Sequence, residues 1–411
     1  MASLEVQFCG VKLKNPFIVA SATPTKNSEY MRRAFESGAG GIVVKTVFTD
    51  EMNGEPMRRY VRPRFTVLQK KGWPQVYSNY SSEFAAEYAP AEWLKHLKQA
   101  KKFAEENGSV LIGSITELDP ERLARIAKMH EDAGCDILET WMFCCPNLSG
   151  SKIASEGDVA SNPDQWIPLL TKLRESVSIP VYCKIGAENG MKGIMEQARA
   201  VKESGIGAVT MADRMQSLEV DLETGRPLLC GGFSGVGGPW MRPIIQKFTA
   251  RVVKEYGLQV AASGGFHTWQ DAVKGMMVGA TLVQTCTEIM YGKTGYGAVK
   301  SFIKGTERYL SERGCSSLDE IRGKTLDQIR TFDTLQRTPK GEIWAEVDGG
   351  KCTMCRQCGH HCFYDAISYD NDGVASVDKA KCDGCGLCIG LCPDDSISMK
   401  GNVETFLGDF A

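Results

Sequence analysis

The chain has 411 residues, of which 43% are apolar and 24% charged, and its formal net charge is −2. That length exceeds one ordinary core, so two or three domains are expected, and the near-neutral balance argues against nucleic acid or an anionic membrane as partner. No apolar run nears the roughly 20 residues that cross a bilayer, and the opening Met-Ala-Ser-Leu-Glu-Val-Gln-Phe lacks the basic and apolar regions of a secretion signal, so a soluble cytoplasmic protein is expected.

From residue 17 onward, short apolar or β-branched runs alternate with helical patterns. The predicted strands are 17–22, 41–46, 111–115, 136–140, 181–186, 208–213, 259–264 and 281–287, with amphipathic helices such as 28–37, 120–133, 164–177 and 190–204 between them. Such alternation is the pattern of βα units feeding a parallel sheet. Eight units predict an α/β fold, a (βα)8 TIM barrel over residues 1–336; a doubly wound open sheet is the rival. No Gly-x-Gly-x-x-Gly follows any predicted strand, so a Rossmann dinucleotide site is not indicated. The stretch 51–80, rich in Arg, Pro and aromatics, is long for a plain connection and reads as a lid or interface element.

Barrel chemistry gathers at the C-terminal ends of the strands. In order, those ends read Ser21-Ala22-Thr23, Lys45-Thr46, Ser114, Trp141-Met142-Phe143-Cys144-Cys145-Pro146-Asn147, Lys184, Asp213-Arg214, Ser263-Gly264-Gly265 and Thr285-Cys286. Two lysines at an apolar barrel mouth are costly unless each meets an anion or an electron-rich ring. Gly231-Gly232-Phe233-Ser234-Gly235 and Ser263-Gly264-Gly265 offer bare backbone amides near strands 7 and 8, where barrels build phosphate sites. Alone, each glycine pair is more often a plain tight turn. Asp213 and Arg214 are either a surface ion pair or part of the pocket wall, where the arginine would favour an anionic substrate group.

Residues 337–350, charged and containing Pro and Gly, read as a linker. Beyond them, in 351–411, lie eight of the sixteen cysteines: Cys352, Cys355, Cys358 and Cys362, then Cys382, Cys385, Cys388 and Cys392 followed by Pro393. That is Cys-x2-Cys-x2-Cys-x3-Cys twice, the spacing of a small α+β ferredoxin-like domain with two [4Fe–4S] clusters. In such domains the fourth cysteine of each run ligates the other run's cluster. One cluster then takes Cys352, Cys355, Cys358 and Cys392, the other Cys382, Cys385, Cys388 and Cys362. Zinc on a single Cys-x2-Cys pair is the alternative reading. His360 and His361 lie between cluster cysteines and read as covering a cluster. One-electron clusters need a two-electron switch before a substrate, and flavin is the usual one. Glycine amides for a phosphate and lysines for an isoalloxazine ring make that flavin FMN.

The run Asn15-Pro16-Phe17-Ile18-Val19-Ala20-Ser21-Ala22-Thr23-Pro24, followed by Lys45-Thr46 and the double cysteine run, resembles the PreA subunit family of dihydropyrimidine dehydrogenase. The resemblance spans essentially the whole chain. It implies a dihydroorotate-dehydrogenase-like FMN barrel joined to a two-cluster ferredoxin domain. It places flavin contacts on Ala20, Ser21, Lys45, Thr46, Lys184, Gly235, Gly264, Gly265, Thr285 and Cys286, and Ser263 shares its turn with two of these. It also implies a catalytic general acid or base at Cys145, within the family's Asn-Leu-Ser-Cys-Pro motif.

Here the chain departs from that pattern. The motif's asparagine is Met142 and its serine is Cys144; the pair after strand 6 is Asp213-Arg214; and of another pyrimidine-reading motif only Asn79 remains, in Asn79-Tyr80-Ser81. Asn79, Met142, Asp213 and Arg214 are therefore the candidate substrate residues. The implied reaction reduces, or forms, a C=C bond of a small unsaturated ring. A pyrimidine is one substrate class and a carboxylated, aromatic or enoate compound another; a non-catalytic electron-transfer subunit is the third reading. With no nicotinamide site in the chain, a partner subunit carrying FAD and an NAD(P)H site, or a ferredoxin, is expected to supply electrons, and an oligomer is expected.

Overall fold

The structure, a computed structural model, describes residues 2–47, 49, 64–68, 78–82, 86–142, 162–186, 190–229, 233–330 and 341–401. The chain divides into two compact units, Met1–Ile329 and Arg330–Ala411.

The first unit is built on eight parallel strands: β1 (Phe17–Val19), β2 (Gly41–Val43), β3 (Val110–Ile115), β4 (Ile137–Trp141), β5 (Val181–Ile185), β6 (Ala208–Met211), β7 (Gln259–Ser263) and β8 (Leu282–Thr285). They pair in chain order, and β8 closes onto β1 with Val283 opposite Phe17. The closed barrel is the TIM architecture expected, and every strand falls within one residue of a predicted span. Every strand except β7 is buried along its whole length. Parallel strands covered on both faces carry near-continuous apolar runs, which is why these spans were legible.

The surrounding helices start where capping residues place them. Asn27 accepts from the Tyr30 amide at the start of Ser28–Glu36, and Asp119 accepts from the Glu121 and Arg122 amides ahead of Pro120–Asp132. Each cap satisfies otherwise orphaned N–H groups and fixes where a strand's connection ends. Helix Pro90–Glu106 buries Trp93, Leu97, Ala100 and Ala104, one stripe at helical spacing laid against the barrel.

The stretch 51–80 holds more than a loop. Arg64–Leu68 and Ser78–Ser82 form an antiparallel pair, extended by Ser234–Gly237 and Met215–Ser217 into a four-stranded sheet. This sheet brings Asn79, Ser81 and Arg214 to the C-terminal side of the barrel.

In the second unit, Ile343–Val347 pairs antiparallel with Ile397–Gly401, and Ile367–Tyr369 with Ala375–Val377. Short helices Gln357–His360 and Leu387–Leu391 lie within the two cysteine runs, each carrying the third cysteine, Cys358 and Cys388. The halves repeat in backbone detail: left-handed residues fall at Met354, Arg356 and Asp365, and at the matching Gly384, Gly386 and Asp395. One expectation gives way here. The stretch read as a linker, 337–350, contains the strand Ile343–Val347, because a Trp-Ala-Glu-Val alternation with Ile343 and Ala345 buried completes the small core.

Candidate functional site

The strands' C-terminal ends open into a cleft with about 1020 Å³ of empty space, open solvent at its mouth included. Ala20 and Ser21 reach it from beyond β1, Lys45 and Thr46 from beyond β2, Trp141 from β4, Lys184 from β5 and Asp213 and Arg214 from beyond β6. Ser263 ends β7 with Gly264 and Gly265 after it, and Thr285 and Cys286 close the ring at the end of β8. The parallel barrel explains this convergence, since all eight strands point their ends the same way.

One wall is a hydrogen-bonded shelf. Thr46 Oγ1 lies 2.7 Å from Ser114 Oγ and 3.4 Å from Ser21 Oγ, and it accepts from Trp141 Nε1 at 3.2 Å. Lys45 and Lys184 are both buried at the cleft. Burial pushes the Lys184 ammonium down, but the Glu139 and Asp213 carboxylates outweigh that and hold its pKa above the ordinary lysine value. Lys184 therefore presents a fixed positive charge across the working pH range.

The opposite wall is bare backbone. Gly265 has φ +84°, and a Cβ there would lie 2.7 Å from the Arg242 amide nitrogen and 3.0 Å from the Gly238 carbonyl oxygen. Only glycine fits this close approach of two chain segments. Gly237 and Gly238 line the same wall. Thr287 Oγ1 lies 2.9 Å from His267 Nε2, and Thr285 Oγ1 donates to the Phe266 carbonyl at 3.2 Å. His267 is thus tied into the wall, with burial lowering its pKa. A cradle of side-chain-free amides at one end and lysines at the other fits a phosphate-bearing flavin: the residues present suit FMN.

The substrate candidates divide. Asn79 and Arg214 line the cleft, and Asn79 Oδ1 accepts from Tyr291 OH at 2.7 Å. Arg214 donates to Ser81 Oγ and to the Ser81 carbonyl. A Cβ on Gly235 would lie 2.9 Å from the Arg214 guanidinium carbon. Gly235 thus makes room for the arginine and is not among the residues lining the cleft, whereas Gly237 and Gly238 are. Met142 is likewise not at the cleft. Successive residues of an extended chain face opposite ways, so with Trp141 on the cleft, Met142 packs into the apolar core at 1% exposure. Asp213 and Arg214 are pocket wall, and the Asp213 carboxylate accepts from the Arg214 amide. Cys145, with Cys144 and the Gly231-Gly232 pair, lies outside the described residues. Glu139, Gln284, Phe266 and Met290 carry no signal in the sequence, because inward-facing strand residues and single apolar residues of a loop or a short helix show no spacing pattern.

The cysteines of the second unit ring two cavities. The first, about 330 Å³, is lined by Cys352, Cys355, Cys358 and Cys392; the second, about 380 Å³, by Cys362, Cys382, Cys385 and Cys388. Among the described residues no three metal-ligating side chains converge on a single ion-sized point; the thiols surround volumes instead. The crossed grouping is the one expected of two-cluster domains. Backbone amides of Ala345, Ala366 and Ser396 point at Cys382, Cys362 and Cys392 sulfurs at 3.5, 3.4 and 3.3 Å. Such N–H···S contacts tune cluster potentials. His361 lines the second cavity without joining the cysteine set.

Comparison with known proteins gives two family matches: dihydroorotate dehydrogenase over residues 3–310 and a 4Fe-4S dicluster domain over residues 345–399. The NAD-dependent dihydropyrimidine dehydrogenase subunit PreA of Escherichia coli (strain K12) is 27% identical over 369 residues, 88% of this chain and 85% of the relative. Dihydroorotate dehydrogenase B (NAD(+)) catalytic subunits are similar over the front of the chain. That of Pyrococcus abyssi is 27% identical, covering 79% of this chain and 99% of the relative. That of Thermoplasma acidophilum is 24% identical with the same coverage. Among the described residues no helix is long and apolar enough to cross a membrane.

Proposed function

Because the chain belongs to the dihydroorotate dehydrogenase family of CH–CH oxidoreductases, with a 4Fe-4S dicluster domain appended, we propose that it reduces, or forms, a C=C bond in a small unsaturated ring substrate, using FMN and two [4Fe–4S] clusters. The observation that carries the reading is the convergence of Lys45, Thr46, Lys184 and the Gly264-Gly265 amides on one cleft.

Bound there, FMN supplies hydride chemistry and the exchange between one- and two-electron steps. Gly238, Gly264 and Gly265 hold its phosphate end, and Lys45 and Lys184 face its ring. Cys145 holds the proton given to one substrate carbon or takes it in the reverse direction. A thiol with an ordinary pKa of about 8.5 is mostly protonated at pH 7 yet able to ionise, which suits it to both tasks. Cys352, Cys355, Cys358 and Cys392 hold one cluster, and Cys362, Cys382, Cys385 and Cys388 the other. Electrons reach them in the cytoplasm from a partner subunit carrying FAD and an NAD(P)H site, or from a ferredoxin.

The pocket wall favours a second substrate class beside pyrimidines. Arg214 at the cleft is a donor for a carboxylate or other anion, and Asp213 beside it offers an acceptor. Asn79 is a fixed polar contact common to either class. The deciding experiment reduces the full chain anaerobically, adds uracil, thymine or carboxylated ring and enoate analogues, and follows flavin reoxidation. Fast reoxidation by uracil or thymine establishes pyrimidine reduction. Reoxidation by the carboxylated analogues alone establishes the second class. Reoxidation by none refutes the enzymatic reading and leaves an electron-transfer subunit.

A further inference from the structure

Below the cleft the barrel interior holds a carboxylate. Glu139, on β4, is fully buried. Its Oε1 lies 3.0 Å from Lys184 Nζ on β5. Its Oε2 accepts from Thr210 Oγ1 on β6 at 2.6 Å and from Gln284 Nε2 on β8 at 3.2 Å. Gln284 also reaches Thr210 Oγ1 at 3.2 Å, which closes a polar ring across the barrel. Four of the eight strands thus supply one side chain each to a single charge pair, at a level where a TIM barrel ordinarily packs branched apolar residues.

Such a pair is a poor stabilising device. Taking two charges out of water costs about as much as their attraction returns, and apolar replacements of the same volume do as well or better. What the arrangement does achieve is geometric. With Oε2 clamped by two donors, Oε1 is aimed at one place, and Lys184 is the cleft residue that meets it there. We propose that Glu139 is a positioning residue that fixes the charged Lys184 ammonium at the floor of the cleft, so that the flavin ring is reduced against a constant positive charge.

The inference rests on the FMN reading for its consequence and on the barrel alone for its cause. The charged groups facing Lys184 are Glu139 from β4, and Asp213 and Arg214 from the segment after β6; Lys45, beyond β2, lines the same cleft. Of these Glu139 acts most strongly in keeping the ammonium charged, and burial is what opposes it. Removing Glu139 leaves burial and Arg214 opposed by Asp213 alone, so the pKa of Lys184 falls and its neutral fraction at a given pH rises.

Two measurements on the full chain separate cause from consequence. In the flavin-free protein, brief acetic anhydride labelling at pH 8 is read residue by residue by peptide mass spectrometry. Glu139→Gln should raise Lys184 labelling at least about tenfold, since only the neutral amine reacts, and Glu139→Asp should give an intermediate rise. Unchanged labelling in Glu139→Gln overturns the proposal, whether or not the wild type binds FMN. In the FMN-loaded protein, Glu139→Gln should weaken reduced FMN relative to oxidised FMN about tenfold at pH 8. For a two-electron couple that is a drop of about 30 mV in midpoint potential. The same substitution in a Lys184→Gln background should move the potential no further. An equal drop in both backgrounds overturns a role acting through Lys184. Should Glu139→Gln fold poorly, Gln284→Leu, which removes one clamp and keeps both charges, should raise Lys184 labelling in the same direction; no change there overturns the clamp. A wild type that binds no FMN would refute the cofactor reading while the labelling result still decides the pair.

Discussion

Gly265→Ala probes the bare-amide wall of the cleft most directly. Gly265 has φ +84°, and its new Cβ would meet the Arg242 amide nitrogen at 2.7 Å and the Gly238 carbonyl oxygen at 3.0 Å. Left-handed backbone costs a non-glycine residue about 1–2 kcal/mol. Forcing apart two backbone segments adds about 1–3 kcal/mol, as overpacking does elsewhere. The sum is about 2–5 kcal/mol. A unit as large as Met1–Ile329 has an unfolding entropy that converts each kcal/mol into about 1–2 °C. The barrel's Tm should therefore fall by about 3–8 °C. Gly10→Ala is the internal control: φ there is +80°, but nothing lies within 4 Å of the added carbon. It should show the backbone strain alone, about 1–3 °C. Because the displaced amides are those proposed to hold the phosphate, FMN should also bind Gly265→Ala at least tenfold more weakly, about 1.4 kcal/mol, and Gly10→Ala unchanged. Differential scanning calorimetry of the flavin-free chain and a flavin-fluorescence titration read the two effects. Equal Tm shifts in the two variants, or wild-type FMN affinity in Gly265→Ala, would refute the reasoning.

Cys145→Ala should drop substrate-dependent flavin reoxidation below about a tenth of wild type, since a general acid contributes roughly 100-fold or more, with FMN and iron contents unchanged; retention above a tenth sinks the role. Cys392→Ala should abolish the cluster of the first run, so the residual EPR spectrum of the reduced protein should match that of Cys355→Ala and differ from that of Cys385→Ala. A match to Cys385→Ala would refute crossed ligation. His130 is buried on the inner face of Pro120–Asp132, where burial brings its pKa to about 4. Between pH 6.5 and 4 the unfolded chain binds the proton and the folded one does not, so stability falls as pH falls, by up to about 3 kcal/mol. His130→Leu should flatten the urea-unfolding free energy across that window by a comparable amount, and an unchanged slope would show that the imidazole titrates as freely folded as unfolded.

The barrel was legible because each strand is buried on both faces, and a run such as Val110–Ile115 therefore announces itself in composition. The cluster cysteines were legible because ligand spacing is local: a loop and short helix within each run put three thiols on one cavity, and two copies of the run supply the fourth by exchange. That strand-end residues such as Lys45, Thr46 and Lys184 meet at one cleft was legible for the same reason, a βα unit placing its last strand residues at one rim. What spacing does not encode is which side of a chain faces which neighbour. Met142 and Trp141 are adjacent, and only the barrel's closure decides that the tryptophan meets the cleft and the methionine the core. Gly235 and Gly237 read alike and both lie against Arg214, yet of the two only Gly237 also lines the cleft. Asp213 and Arg214 became pocket wall through a sheet assembled from three distant segments. Glu139 shows the limit most clearly. In sequence it is one acidic residue in an apolar run; its partners on β5, β6 and β8 lie between 45 and 145 residues away. The sequence by itself determined the barrel strands, the cysteine sets and the family, because those depend on neighbours along the chain. The tertiary structure decided which charges meet in the barrel and which side chains face the cleft, because those depend on closing the sheet.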